Sequence, residues 1–244
     1  MTCGSLAAKP EPPPLPELQR TALLLDLDGT LIDIAPAPDL VVVPPGLIDT
    51  LRTVRERLGG ALAVITGRPI ETIDRLLHDA PYAVAGEHGG AVRHAPGEAV
   101  ERPPQATLPG ALVDAAAELA RAHPGALLEV KAGSFTLHYR AVPDAGPGLR
   151  AGLEALLRDA TAFELLSGKM MWEVRPRGID KGKAVRTLMA RAPFAARVPV
   201  FIGDDVTDEA AIEAAAAMGG VGLRVADAFG EPADVRAWLA TLAQ

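Results

Sequence analysis

Residues 23–31 read LLLDLDGTL, an unbroken apolar run that ends in two carboxylates, Asp26 and Asp28, and turns at Gly29. A short apolar run closed by a turn is the pattern of a strand buried on both faces. Ionised acids at such a place are costly unless they are paired or hold a metal. Side chains two apart on a strand share a side, so Asp26 and Asp28 point the same way, and one can attack while the other transfers a proton.

Outward from this stretch, strand and helix patterns alternate. GLIDTLRTVRERLG (46–59) is amphipathic, with Leu47, Leu51, Val54 and Leu58 on one side. GALAVITGR (60–68) reads as a strand, IETIDRLLHD (70–79) as a helix and YAVAGEH (82–88) as a third short strand. VPVFIGDDVTDEAAIEAAAAMG (198–219) is a strand running into a helix. This order predicts an α/β fold, a Rossmann-like core with a mainly parallel sheet and helices on both faces. The middle departs from it: after the loop at 93–110 come a helix, alternating strands, a further helix and a further alternating strand. We expect an inserted α+β cap at 104–173, a core formed by 21–103 and 174–244, and a disordered Pro-rich leader at 1–20.

Composition bounds the function. The chain of 244 residues carries a net charge of −7 and only 4% aromatics, which excludes an electrostatic nucleic-acid footprint and leaves few rings for base stacking. One cysteine, Cys3, can make neither an internal disulfide nor a cysteine metal cage. No apolar run is long enough to cross a membrane and none reads as a secretory segment, so the expected location is the cytoplasm.

Polar residues gather where strands end. Asp26 and Asp28 end the first strand, Thr66, Gly67 and Arg68 the second, and Asp204 and Asp205 the one before the long helix, while Lys181 opens the helix of GIDKGKAVRTL (178–188). Ligands of open α/β sheets bind at that rim. Singly each piece is ordinary: DGT is a turn, TGRP a helix entry capped by Thr66, DDVTDE a set of acids suited to a helix N-terminus. Together they suit phosphoryl transfer through an aspartate, with Mg²⁺ on Asp26, the Asp28 carbonyl and Asp204. Thr66 and Lys181 would then hold the equatorial phosphate oxygens. The chain has no GxxxxGK[ST] nucleotide loop.

The series DLDGTL (26–31), TGR (66–68), DKGK (180–183) and GDDVTDE (203–209) resembles the haloacid dehalogenase superfamily of phosphatases, and within it the trehalose-6-phosphate phosphatases. The resemblance implies Asp26 as nucleophile, Asp28 as general acid and then base, and Thr66 and Lys181 as phosphate binders, with Lys181 preferred to Lys183. It implies Asp204 as a metal ligand with Asp208, one helical turn on, in support of the metal group. Asp205 would orient Lys181 or the metal's waters. Gly67 and Arg68 would touch the substrate, and His88 in GEHGG would play a supporting part.

The cap carries the substrate question. In LLEVKAGSFTLHYR (127–140), a two-residue turn at Ala132 and Gly133 makes Lys131 face Ser134, Glu129 face Thr136 and Leu128 face Leu137. Glu129, Lys131, Ser134, Thr136, His138 and Arg140 then share one face, with Leu128, Val130, Phe135, Leu137 and Tyr139 on the other. KMMWEVR (169–175) repeats the division. Such a face is either a solvated surface laced by ion pairs or a grip for sugar hydroxyls. The family resemblance favours the grip and implies Glu129, Lys131, His138, Arg140, Lys169 and Glu173. The expected function is Mg²⁺-dependent hydrolysis of trehalose 6-phosphate, with possible functional coupling to a trehalose-phosphate synthase. Alternatives are a phosphatase for sucrose phosphate or a hexose phosphate, a phosphosugar mutase, or a non-catalytic regulatory partner of the synthase.

Overall fold

β1 (Thr21–Leu25) takes up the apolar run before Asp26, and all five of its residues are buried. In the computed structural model, which describes residues 14–35, 40–102, 107–131, 133–168 and 170–244, it is followed by α1 (Leu47–Arg57), β2 (Leu62–Ile65), α2 (Ile70–Leu77), β3 (Ala83–Gly86) and β4 (Ala91–Arg93). Then come α3 (Gly110–Arg121), β5 (Leu127–Val130), β6 (Phe135–His138), α4 (Gly146–Leu157), β7 (Phe163–Gly168) and β8 (Met171–Pro176). The chain closes with α5 (Lys181–Met189), β9 (Val198–Gly203), α6 (Glu209–Ala217), β10 (Val221–Arg224), α7 (Val225–Ala228) and α8 (Pro232–Leu242). No helix among the described residues is long and apolar enough to cross a membrane.

The chain divides into two compact units, Met1–Glu101 with Asp180–Gln244, and Arg102–Ile179. The sequence reading set these divisions at 103/104 and 173/174. In the first unit the sheet order is β10-β9-β1-β2-β3-β4, parallel except for β3 against β4. The strands are apolar throughout because both faces are covered: one by a core including Leu51, Val54, Ile73, Val235 and Leu239, the other by Val185, Leu188, Phe194 and Ala214. From β1 the chain first builds outward through β2 and β3, and later adds β9 and β10 on the other side of β1. The direction of winding thus reverses at β1, and the carboxyl end of β1 is where an open α/β sheet offers its crevice.

Residues 1–20 were expected to form a disordered leader. Residues 1–13 lie outside the described residues, but 14–20 are tied down, and that part of the expectation is corrected. Leu15 and Leu18 pack against the core, Leu18–Arg20 makes a 3-10 turn, and the Thr21 hydroxyl donates to the Pro16 and Glu17 carbonyls. Two leucines three residues apart suffice to anchor a segment whose prolines hide any periodicity.

The second unit is a four-stranded antiparallel sheet in the order β5-β6-β8-β7. Phe135, Leu137, Phe163 and Val174 on one face pack with Leu112, Ala116, Leu149 and Leu153 of α3 and α4. The hairpin register matches the expected one: Leu128 pairs with Leu137 and Glu129 with Thr136, and the Lys131 amide donates to the Ser134 carbonyl. The turn residue Ala132 lies outside the described residues. β7 was not anticipated; its Leu165 and Leu166 break the alternation because Leu166 falls on the polar face, opposite Glu173.

Candidate active site

Three strand ends and one helix start supply the site. Asp26 follows β1 directly and its amide donates to the Ile202 carbonyl of β9. Asp204 follows β9, Thr66 follows β2, and Lys181 is the first residue of α5. Asp180 caps α5 by accepting the Lys183 amide at 2.7 Å, which fixes where Lys181 starts. The Lys181 ammonium donates to Asp26 Oδ1 and to Asp208 Oδ1, each at 2.6 Å, in a buried setting. Lys183 is only half-buried and its amide is spent on the cap.

Asp208 is fully buried and fully engaged. Its second oxygen accepts the amides of Asp204 and Asp205, both at 3.0 Å. Asp205 was expected to orient Lys181 or the metal's waters; as to Lys181, the carboxylate in that place is Asp208. The Asp205 side chain turns back onto the Val206 amide at 2.6 Å and, with Asp208, forms a reciprocal capping box on the 3-10 turn Val206–Asp208. Thr66 does not cap α2: Pro69 precedes that helix, and the Thr66 hydroxyl accepts the Arg68 amide at 3.2 Å.

Carboxylate oxygens of Asp26, Asp204 and Asp208 lie within 4.8 Å of one another. Burial, opposed by Lys181 and reinforced by Asp208, pushes the Asp26 carboxyl up to about 8. Burial and the charges of Asp208 and Asp205 also raise Asp204. Burial works against the Lys181 charge, but Asp26 and Asp208 outweigh it and its pKa rises. Three acids around one ammonium leave negative charge uncompensated, and every donor is a hard oxygen. That donor set fits a divalent cation of the Mg²⁺ type, for which Asp26 and Asp204 are the candidate ligands. Gly29 makes room for the Asp204 carboxylate: it sits at φ +75°, and a Cβ there would lie 2.0 Å from Asp204 Oδ2.

Asp28 has a different partner. The Arg68 guanidinium grips it through Nε to Oδ2 at 2.6 Å and Nη2 to Oδ1 at 2.7 Å. Beside them, Glu87 and His88 both adopt left-handed φ, +53° and +56°, rare for residues with a side chain. The strain is held by their amides, which donate to the Arg68 and Thr66 carbonyls at 3.0 and 2.9 Å. The His88 ring thereby rests on Gly67. A cleft of about 520 Å³ is lined by Asp26, Asp28, Thr66, Gly67, Arg68, His88, Lys181, Asp204 and Asp205, joined by Ile34, Ala35 and Thr207. The last three were not anticipated, although Thr207 lies inside the GDDVTDE motif and a count along its turn would have brought it to the rim.

In the second unit, Glu129, Ser134, Thr136, His138 and Glu173 share one sheet face. His138 Nε2 lies 2.9 Å from Glu129 Oε2, the Ser134 hydroxyl donates to Glu173 at 3.2 Å, and Arg175 donates to Glu164 at 3.0 Å. Lys131 is exposed beyond β5 and Arg140 is exposed in the turn after β6. Lys169 lies outside the described residues. The face is not wholly polar, since Leu127 pairs with His138 and is exposed.

Comparison with known proteins agrees with this geometry. The trehalose-phosphatase family model matches residues 24–227. A probable trehalose-phosphate phosphatase of Sinorhizobium fredii is 40% identical over 213 residues, 86% of this chain and 79% of that protein. A trehalose-6-phosphate phosphatase of Escherichia coli is 36% identical over 212 residues, with the same coverage of each chain. The solved structure of an Aspergillus fumigatus trehalose-6-phosphate phosphatase superposes with a TM-score of 0.69 at 23% identity, over 97% of this chain and 99% of that one, a likeness of fold. Motifs, cleft and family match converge: the chain belongs to the trehalose-phosphatase family of phosphatase enzymes.

Proposed function

We propose that this enzyme hydrolyses trehalose 6-phosphate to trehalose and phosphate, with Mg²⁺ and through an aspartyl-phosphate on Asp26. The observation that carries the reading is the contrast between two neighbouring acids. Asp26 lies at the buried floor of the cleft on Lys181, and Asp28 stands at its open side on Arg68. A carboxylate nucleophile and a separate proton carrier need two such environments.

In the first step an Asp26 oxygen attacks phosphorus, the bond from phosphorus to the sugar oxygen breaks, and Asp28 delivers its proton to that oxygen. In the second step Asp28 takes a proton from water, the water oxygen attacks phosphorus, and the bond to Asp26 breaks. Thr66 and Lys181 hold the equatorial oxygens on which charge builds. Mg²⁺ bound by Asp26 and Asp204, with the Asp28 carbonyl and Asp208 in support, would neutralise the approach of phosphate to carboxylate. Glu129, Lys131, His138, Arg140, Lys169 and Glu173 of the cap grip the sugar remote from the phosphate, and that binding positions the ester for attack. The same reading sets the enzyme in the cytoplasm, coupled to the synthase that makes the sugar phosphate.

The test is phosphate release with Mg²⁺ from trehalose 6-phosphate, sucrose 6-phosphate, glucose 6-phosphate and p-nitrophenyl phosphate, with Asp26→Asn as the blank. We expect strong preference for trehalose 6-phosphate, lost in the variant. Preference for another sugar phosphate would retain the chemistry and overturn the substrate. Turnover surviving in Asp26→Asn would overturn the mechanism.

A further inference from the structure

We propose that Arg68 is the positioning residue of Asp28 and not a contact to the substrate, an inference that rests on the phosphatase reading and deepens it. Nε and Nη2 of the guanidinium, the edge shaped to match a carboxylate, are both spent on Asp28, at 2.6 and 2.7 Å. Such a fork fixes the plane of the carboxylate as well as its place. It occupies one lone pair on each oxygen and leaves the other for a proton.

The arm that carries the fork is itself fixed. The Arg68 amide donates to the Thr66 hydroxyl at 3.2 Å, and the Arg68 carbonyl accepts the Glu87 amide at 3.0 Å. Pro69 restricts the Arg68 backbone further. The side chain is 15% exposed and that of Asp28 33%. A solvent-exposed ion pair stabilises little and holds nothing in place. Here the guanidinium is largely covered while the carboxylate keeps one side open to the cleft, the arrangement of a held group and its holder. The two acids of one motif thus have separate cations, Lys181 for Asp26 and Arg68 for Asp28.

Positioning has a chemical signature. Proton transfer requires the acid within hydrogen-bond reach of the leaving oxygen, and a loosened carboxyl loses that reach for most of the time. A sugar alkoxide is a poor leaving group and depends on the proton; p-nitrophenolate leaves without it. Removing Arg68 therefore selects against the sugar ester and spares the binding of phosphate.

The experiment measures kcat/KM for trehalose 6-phosphate and p-nitrophenyl phosphate, and inhibition by inorganic phosphate, in Arg68→Ala, Arg68→Lys, Asp28→Asn and the double variant R68A/D28N. Asp28→Asn should lower the sugar-ester value by roughly 10² to 10⁴ and the aryl value far less. Arg68→Ala should lower the sugar-ester value at least about 10-fold, in kcat with little change in KM, show the same split between leaving groups, and cost nothing further in the Asp28→Asn background. Arg68→Lys keeps the charge without the fork and should recover only part of the loss. The inhibition constant of phosphate should stay within about 2-fold. Equal losses on both esters, a large rise in the phosphate constant, or a loss that adds in full to Asp28→Asn would show that Arg68 binds substrate and overturn the proposal. If Asp28→Asn alone shows no split, Asp28 is not the acid, and the mechanism fails together with the inference.

Discussion

Gly29 shows how tightly single residues set this site. With φ +75° and the Asp204 carboxylate occupying the space a Cβ would need, Gly29→Ala must both strain the turn and push Asp204 aside. A shift of that order at a reacting centre costs about 100-fold in rate. We expect Gly29→Ala to lose turnover on that scale and to need more Mg²⁺ for half-maximal rate; an unchanged Mg²⁺ requirement would separate Asp204 from the cation. Asp208 and Asp205 make a second comparison. Asn at 208 offers one oxygen where two are needed, so either Lys181 or the amides of Asp204 and Asp205 lose their acceptor. Asp205→Ala loses the cap on the Val206 and Asp208 amides but no partner of Lys181. Turnover and thermal stability should therefore fall much further in Asp208→Asn than in Asp205→Ala, and comparable effects would return to Asp205 the role that its place in GDDVTDE suggests.

At the scale of elements, the cap sheet holds its polar side chains by contacts across strands. Glu173 accepts from Ser134 and lies beside buried Thr136, whose hydroxyl has no partner among the described residues. If this face grips the sugar, Glu173→Ala or Glu129→Ala should depress turnover of trehalose 6-phosphate far more than that of p-nitrophenyl phosphate, and equal losses would mark the face as a solvated surface. The register of this face was legible because the period of a strand is 2 and a two-residue link fixes which residues oppose. β7 was illegible for the same reason: a Leu pair spanning both faces erases the period. β4 and β10 are three and four residues long, too short for a pattern to repeat. In the core, Asp26, Asp28 and Asp204 were legible because they stand where apolar runs stop, and Lys181 because it opens a helix. The pairing of Asp28 with Arg68 was not, since only the parallel pairing of β1 with β2 brings residues 40 apart together.

Over the whole molecule, the two units carry separate hydrophobic cores, that of the first lying on both faces of its sheet, and among the described residues only the unit formed by Met1–Glu101 and Asp180–Gln244 buries an acid cluster. This makes its stability a function of pH and of cation. Asp26 has a folded-state pKa of about 8 against an ordinary 3.8, so without a cation its contribution is fully present below about pH 4 and is lost as pH rises toward 8. Asp204 shifts in the same direction. A divalent cation binds the ionised acids, so its binding expels protons and tightens over that same window, and it stabilises the fold by mass action. In chelator-treated protein, the rise in melting temperature on adding Mg²⁺ should therefore be larger at pH 8 than near pH 6. Asp26→Asn should lose most of that rise and flatten the pH dependence of the cation-free melt, leaving the slope due to Asp204. Leu153→Ala, a fully buried truncation in the other core, should destabilise by about 2–5 kcal/mol yet leave the Mg²⁺ increment and its pH slope in place. An increment that is independent of pH, or that grows as pH falls, would mean that these acids do not hold the cation.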